Sequence, residues 1–125
     1  MRILLDTHIY LWWLDDSPLL SAEARKMITD ADSVYVSAAS LWEAVIKISL
    51  GKLEAVPSDL AEGIRESGFE PLPITPEHTL ALSHLSHFHK DPFDRMLLAQ
   101  SLGEPLRLLT ADALLPPYSE LVIKV

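Results

Sequence analysis

Short apolar runs alternate with longer amphipathic stretches along the whole chain. Ile3-Leu4-Leu5, Val34-Tyr35-Val36, Leu106 to Leu109 and Leu121 to Val125 are too short for helices, and each reads as a buried strand. Between them the spacing changes. Ile9, Trp12 and Trp13 fall at i, i+3, i+4 and predict a short helix. Ser21 reads as the N-cap of a second, with Leu20, Ala24, Met27 and Ile28 on one side. The stretch Ala38 to Leu50 predicts a helix with Leu41, Ala44, Val45 and Ile48 as its buried stripe and Ser40, Glu43 and Lys47 on another face. Gly51 supplies its stop. A polar helix follows over 58–67 and ends at Gly68. Pro71 and Pro73 confine any strand within 69–74 to a sheet edge. Pro76 opens a helix through Leu85, and Pro92 stands at the first position of another that runs to Leu102. That last helix is apolar nearly all round, so it should be largely buried.

Strands alternating with helices predict an α/β domain whose parallel sheet is covered on both sides. At 125 residues, 49% of them apolar, residues 1–125 are expected to form one domain with a core of its own. There is no cysteine, which excludes disulfides and thiolate metal sites. Asp6 interrupts the first apolar run, so no signal-peptide core forms there. No apolar stretch approaches the ~20 residues that cross a membrane. A cytoplasmic protein is expected. The formal net charge of −8 argues against broad, non-specific nucleic-acid binding, which needs a basic face. It suits a cationic partner, or a cleft neutralised by metal ions.

The acids fall at particular places. Asp6 follows the first strand, Glu43 lies in the helix after the second, Asp94 opens a buried helix, and Asp112 follows Leu106 to Leu109. In an open parallel sheet the ligand crevice lies beyond the C-terminal ends of the strands, where these four can converge. Two carboxylates about 4 Å apart repel by roughly 4 kcal/mol at an effective dielectric of ~20, so such a cluster needs protons or cations. Hard oxygen ligands suit Mg²⁺ or Mn²⁺. Such an ion activates water and steadies a leaving oxygen, which points to phosphodiester cleavage without a histidine or cysteine nucleophile. Thr7, Ser37, Ser40 and Thr110 supply hydroxyls beside the acids. Each acid also has a purely structural reading. Asp6 suits a helix cap, Glu43 an i, i+4 partner of Lys47, Asp94 a first-turn acid behind an Asp91 N-cap, and Asp112 a turn.

Four segments carry a resemblance. They are Leu4-Leu5-Asp6-Thr7-His8, Ser37-Ala38-Ala39-Ser40-Leu41-Trp42-Glu43, His89-Lys90-Asp91-Pro92-Phe93-Asp94-Arg95-Met96-Leu97-Leu98-Ala99-Gln100, and Leu109-Thr110-Ala111-Asp112. In this order, over essentially the full length, the chain resembles the PIN-domain ribonucleases, and among them the VapC-type toxins of toxin–antitoxin pairs. The resemblance implies a three-layer fold with a parallel sheet in the order 3-2-1-4-5. It also implies Mg²⁺- or Mn²⁺-dependent cleavage of RNA, a homodimer, and inhibition by a cognate antitoxin. Position by position, Asp6, Glu43 and Asp94 match the core acids, and Thr7 and Thr110 match hydroxyl positions. Many relatives carry Thr-Arg-Asn where this chain has Thr-Ala-Asp, so the fourth acid is either Asp112 or Asp91.

Lys47, His89 and Arg95 are expected near substrate phosphate. His87 and His89 form an i, i+2 pair that suits surface positions better than a zinc site. The antitoxin is expected to present a basic C-terminal segment, lay apolar residues beside the first helices, and anchor on Tyr10, Trp12 and Trp13. Two other classes compete. A receiver-type signalling domain needs a second acid beside Asp6 and a lysine after Leu109, both missing. A catalytically degenerate module that only binds a partner would not need the acids.

Overall fold

The computed structural model describes residues 1–86 and 90–125. Five strands form one parallel sheet: β1 (Arg2–Leu5), β2 (Ser33–Ser37), β3 (Glu70–Leu72), β4 (Arg107–Thr110) and β5 (Val122–Lys124), in the order β3-β2-β1-β4-β5. β1 is central, pairing Ile3 with Val34 on one side and Leu4 with Leu108 on the other. β3, with its proline, lies on an edge as expected, where the missing N–H costs no ladder bond.

The helices are α1 (Thr7–Leu14), α2 (Ala22–Asp30), α3 (Ala38–Ser49), α4 (Pro57–Glu66), α5 (Pro76–Ala81) and α6 (Pro92–Gly103). Alternation along β1 divides the core between two helical layers. Ile3 and Leu5 pack with Ile9 and Tyr10 of α1, Ala24 and Ile28 of α2, and Ile64 of α4. Leu4 faces the other way, toward Leu97, Leu98 and Ala99 of α6 and Leu85. The N-caps at Ser21, Ser37 and Asp91 accept backbone N–H groups from Ala24, Ala39, and Phe93 and Asp94 respectively. These bonds set where α2, α3 and α6 begin.

Four expectations need correcting. The stripe on α3 is rotated: Ser40 and Ala44 are buried, whereas Val45 and Ile46 are exposed. That face packs toward α1, where the Thr7 hydroxyl donates to Ser40 Oγ at 3.0 Å. The Pro76 helix stops at Ala81 and tightens into a 3-10 turn over Leu82–His84. There the Thr79 and Ser83 hydroxyls donate to Pro76 O and Leu80 O, in competition with helical bonds. α6 is less enclosed than its composition suggests, since Leu102 is 44% exposed. Finally, Tyr10 is no surface anchor. It is fully buried, and its hydroxyl donates to Leu60 O at 2.7 Å. Trp13 packs on Phe69 with ring centroids 5.4 Å apart and donates from Nε1 to Ser67 Oγ.

Gly63 is where α4 crosses α1. A Cβ there would stand 2.9 Å from Leu14 Cδ2 and 2.9 Å from Tyr10 Oη. At Gly103 the nearest such neighbour is His78 Cδ2 at 3.8 Å. Gly63→Ala should therefore destabilise the fold by about 1–3 kcal/mol through overpacking, despite the helix propensity that alanine adds. Gly103→Ala should be neutral or slightly stabilising. Urea denaturation of both variants checks this, and equal midpoints would show that α1 and α4 part without strain.

Candidate active site

Asp6 ends the central strand. Its backbone N–H donates to Leu109 O at 2.9 Å, so β1 and β4 stay in register up to the acid. The side chain is 6% exposed and held at both oxygens: Thr7 N donates to Oδ1 at 2.7 Å, and the Thr110 hydroxyl donates to Oδ2 at 2.7 Å. Burial pushes the carboxyl above the ordinary carboxylate range. The Thr110 and Thr7 bonds and His8 pull it back down, and Glu43 adds to the rise.

Around Asp6 lies a cleft of about 520 Å³, lined by Asp6, His8, Trp12, Glu43, Lys47, Asp91, Asp94, Ala111 and Asp112. The four acids picked out by their place after strands and at helix starts share this one cleft, and both candidates for the fourth position are in it. Asp91 Oδ1 caps α6 by accepting from Phe93 N and Asp94 N. Asp112 Oδ1 accepts from Leu114 N at 2.9 Å, and Asp112 N donates to Thr110 Oγ1. Each therefore performs the structural task that its position predicts and still lines the cleft. Glu43 projects from α3, and Lys47 Nζ lies 3.5 Å from its Oε2.

The hydroxyls lie behind the lining. Thr7 and Ser40 are buried and bonded to each other, which ties α1 to α3. Ser37 caps α3, and Thr110 orients Asp6. Arg95, expected beside substrate phosphate, is not among the lining residues. Its guanidinium donates to the carbonyls of Ser86 and Leu82. His87 and His89 lie outside the described residues.

His8 and Trp12 are wall residues that the sequence does not single out for the site. A signal is present nonetheless, because His8 and Trp12 are one turn apart on α1 and their rings stand 6.0 Å apart. The five carboxylates of the lining offer hard oxygen donors, which fit a hard divalent cation. Among the described residues no group of three or more histidine, aspartate or glutamate side chains is drawn together as an ion would draw them. The lysine ammonium beside Glu43 is the cation present.

Comparison with known proteins gives a consistent picture. The PIN domain family matches residues 3–118. Ribonuclease VapC22 of Mycobacterium tuberculosis is 31% identical over 116 residues, covering 88% of this chain and 86% of that protein. VapBC2 from Rickettsia felis, in a crystal structure with a DNA fragment from its promoter, is similar with a TM-score of 0.75. There the identity is 15%, over 99% of this chain and 98% of that one. A toxin–antitoxin complex from Klebsiella pneumoniae gives a TM-score of 0.68 at 17% identity, over 98% and 96% of the two chains.

The raised position of Asp6 has a measurable consequence. The folded chain binds this proton more tightly than the unfolded chain, so Asp6 contributes most at acid pH. That contribution is lost as pH rises through its folded value. Asp6→Asn removes the buried charge and keeps an oxygen for Thr7 N–H. In chelator at pH 7 the variant should be at least as stable as wild type, with its relative gain shrinking as pH falls and Asp6 protonates. Urea midpoints across a pH series decide this. A variant weaker at every pH would mean that the hydrogen bonds to the carboxylate outweigh its burial.

Proposed function

Because this chain belongs to the PIN domain family, we propose that it is a metal-dependent endoribonuclease, the toxin of a toxin–antitoxin pair, which hydrolyses RNA phosphodiesters in the Asp6 cleft. The observation that carries this reading is the convergence of Asp6, Glu43, Asp94 and Asp112, from four separate elements, on one cleft at the C-terminal end of the sheet. Those four acids would hold Mg²⁺ or Mn²⁺, with Asp91 as the alternative to Asp112. A divalent ion held there activates water and stabilises charge on the leaving oxygen.

The chain's own residues supply the rest. Thr7 N–H and the Thr110 hydroxyl fix the Asp6 carboxylate before any ion arrives, and an ion would draw the other acids toward it. Lys47 provides a positive group for a substrate phosphate in a wall that is otherwise acidic. Trp12, partly buried beside His8, offers an aromatic face for a base.

Asp6→Asn, Glu43→Gln and Asp94→Asn should each lower single-turnover RNA cleavage by at least about 100-fold, the scale for removing an electrostatic group of the site. Asp112→Asn should cost less, since Asp91 lines the same cleft and can serve as the alternative fourth acid. Chelator should abolish cleavage, and Mg²⁺ or Mn²⁺ should restore it. Cleavage at the wild-type rate by Asp6→Asn or Asp94→Asn would sink this assignment.

The antitoxin belongs to the same reading, but its anchor moves. Tyr10 is buried and Trp13 is partly buried against Phe69, so the more exposed apolar strip is on α3 and its C-cap: Trp42 at 60% exposure, Val45, Ile46, and Leu50 at 62%. Trp42 stands edge-on to Phe93 at 5.0 Å, beside the cleft acids Asp91 and Asp94. A basic C-terminal segment would lay its apolar side chains on this strip and place one cation in the cleft. Titration of the C-terminal peptide encoded by the neighbouring reading frame should show salt-sensitive binding that Trp42→Ala weakens about tenfold or more, as for a tryptophan hot spot. Binding indifferent to salt and to Trp42 would rule out this mode while leaving the nuclease reading intact. The homodimer is part of the proposal, and light scattering of the purified chain checks it.

A further inference from the structure

Lys47 holds a position that substrate contact alone does not explain. It lies one turn beyond Glu43 on α3, and its Nζ is 3.5 Å from Glu43 Oε2 and 3.5 Å from Nε2 of His8 on α1. An ammonium has donors only, so His8 Nε2 faces it as an acceptor. The side chains of Lys47 and Glu43 are 31% and 12% exposed, which sets them apart from freely solvated surface pairs. Among the described residues lining the cleft, Lys47 is the one lysine or arginine, set against Asp6, Glu43, Asp91, Asp94 and Asp112.

We propose that Lys47 is the cleft's internal counter-ion: it holds Glu43 while the metal is absent, competes with a divalent ion for that carboxylate, and leaves it when the ion binds. The inference rests on the metal-binding reading above and adds a residue that sets metal affinity. Without a cation, the acids that line the cleft repel one another. A tethered ammonium relieves that repulsion continuously, at the expense of the affinity that bare carboxylates would show. The Glu43–Lys47 order suits the exchange, because glutamate N-terminal to lysine at i, i+4 is the favourable helical arrangement. The flexible four-carbon stem then lets the ammonium turn away once Glu43 is engaged.

Calorimetric titration with Mn²⁺ alone, on the full chain and without RNA, tests this apart from activity. The variants are Lys47→Met, Lys47→Gln, Lys47→Arg, Glu43→Gln and the Lys47→Met/Glu43→Gln pair. Removing the charge, by Met or by Gln, should tighten Mn²⁺ binding by about two- to fivefold, the range expected from losing one partly withdrawn ion pair. Lys47→Arg should not tighten it. In the Glu43→Gln background, Lys47→Met should have no effect, because the shared carboxylate is gone. Unchanged or weaker Mn²⁺ binding by folded Lys47→Met and Lys47→Gln overturns the proposal, as does equal tightening without Glu43. If wild type binds Mn²⁺ through Asp6 and Asp94 while the Lys47 variants match it, this inference fails alone. If wild type binds no Mn²⁺, the metal reading fails with it.

Discussion

The structure depends on a carboxylate kept inside the protein at the end of its central strand. A buried acid is costly unless each oxygen finds a donor. Asp6 finds Thr7 N–H at the start of α1 and the Thr110 hydroxyl at the end of β4. Meeting that requirement fixes three things together: the point where β1 stops, the entry angle of α1, and the register of β4. The Asp6 N–H bond to Leu109 O adds the backbone part of the same arrangement. A change at Thr110 therefore acts on the orientation of the acid, although the threonine itself lies behind the cleft lining.

Around this point the cleft is assembled by ordinary local rules. Ser37 caps α3, so Glu43 and Lys47 emerge nearly two and three turns later on the face that Ser40 turns toward α1. Asp91 caps α6, so Asp94 falls in its first turn, where the helix dipole favours an acid. Asp112 closes the turn after β4. The structural and chemical readings of these acids do not compete. The cap at Asp91 and the turn at Asp112 engage Oδ1, and the crevice of a parallel sheet lies where caps and turns occur.

The same local rules decide what is legible in the sequence. The strands, the sheet class and the convergence of Asp6, Glu43, Asp94 and Asp112 follow from position relative to apolar runs, which is local information. The strand order comes from resemblance. What fails depends on which of two neighbouring faces a helix turns inward. Hydrophobicity alone assigns the stripe on α3, but the face carrying Ser40, which is bonded to Thr7, is the one turned inward, and Val45 and Ile46 stay outside. Tyr10 looks like a surface anchor in the sequence, yet its hydroxyl finds Leu60 O, a partner 50 residues away. The sequence names His8 in its first motif and Trp12 as a candidate anchor, yet places neither in the cleft wall, because that placement needs Asp6 to locate the cleft beneath them. Single-residue burial on an amphipathic helix is a tertiary property, and periodicity constrains it only to within a face.

Excess negative charge links the remaining features. A cleft lined by five carboxylates repels an RNA phosphate unless a cation stands between them. A divalent ion, the Lys47 ammonium and a basic residue of an inhibitory peptide are three forms of the same remedy. Their consequences differ. The ammonium neutralises without activating water, a divalent ion would do both, and a peptide cation would neutralise while filling the space that RNA would need. Under the proposed reading, activity and inhibition are therefore alternative ways of balancing one fixed charge. It would let a protein of net charge −8 act on a polyanion through the cations in its cleft. On that reading, affinity for RNA would come from a cation held in the cleft, and the carboxylates that repel free substrate would make its binding conditional on metal.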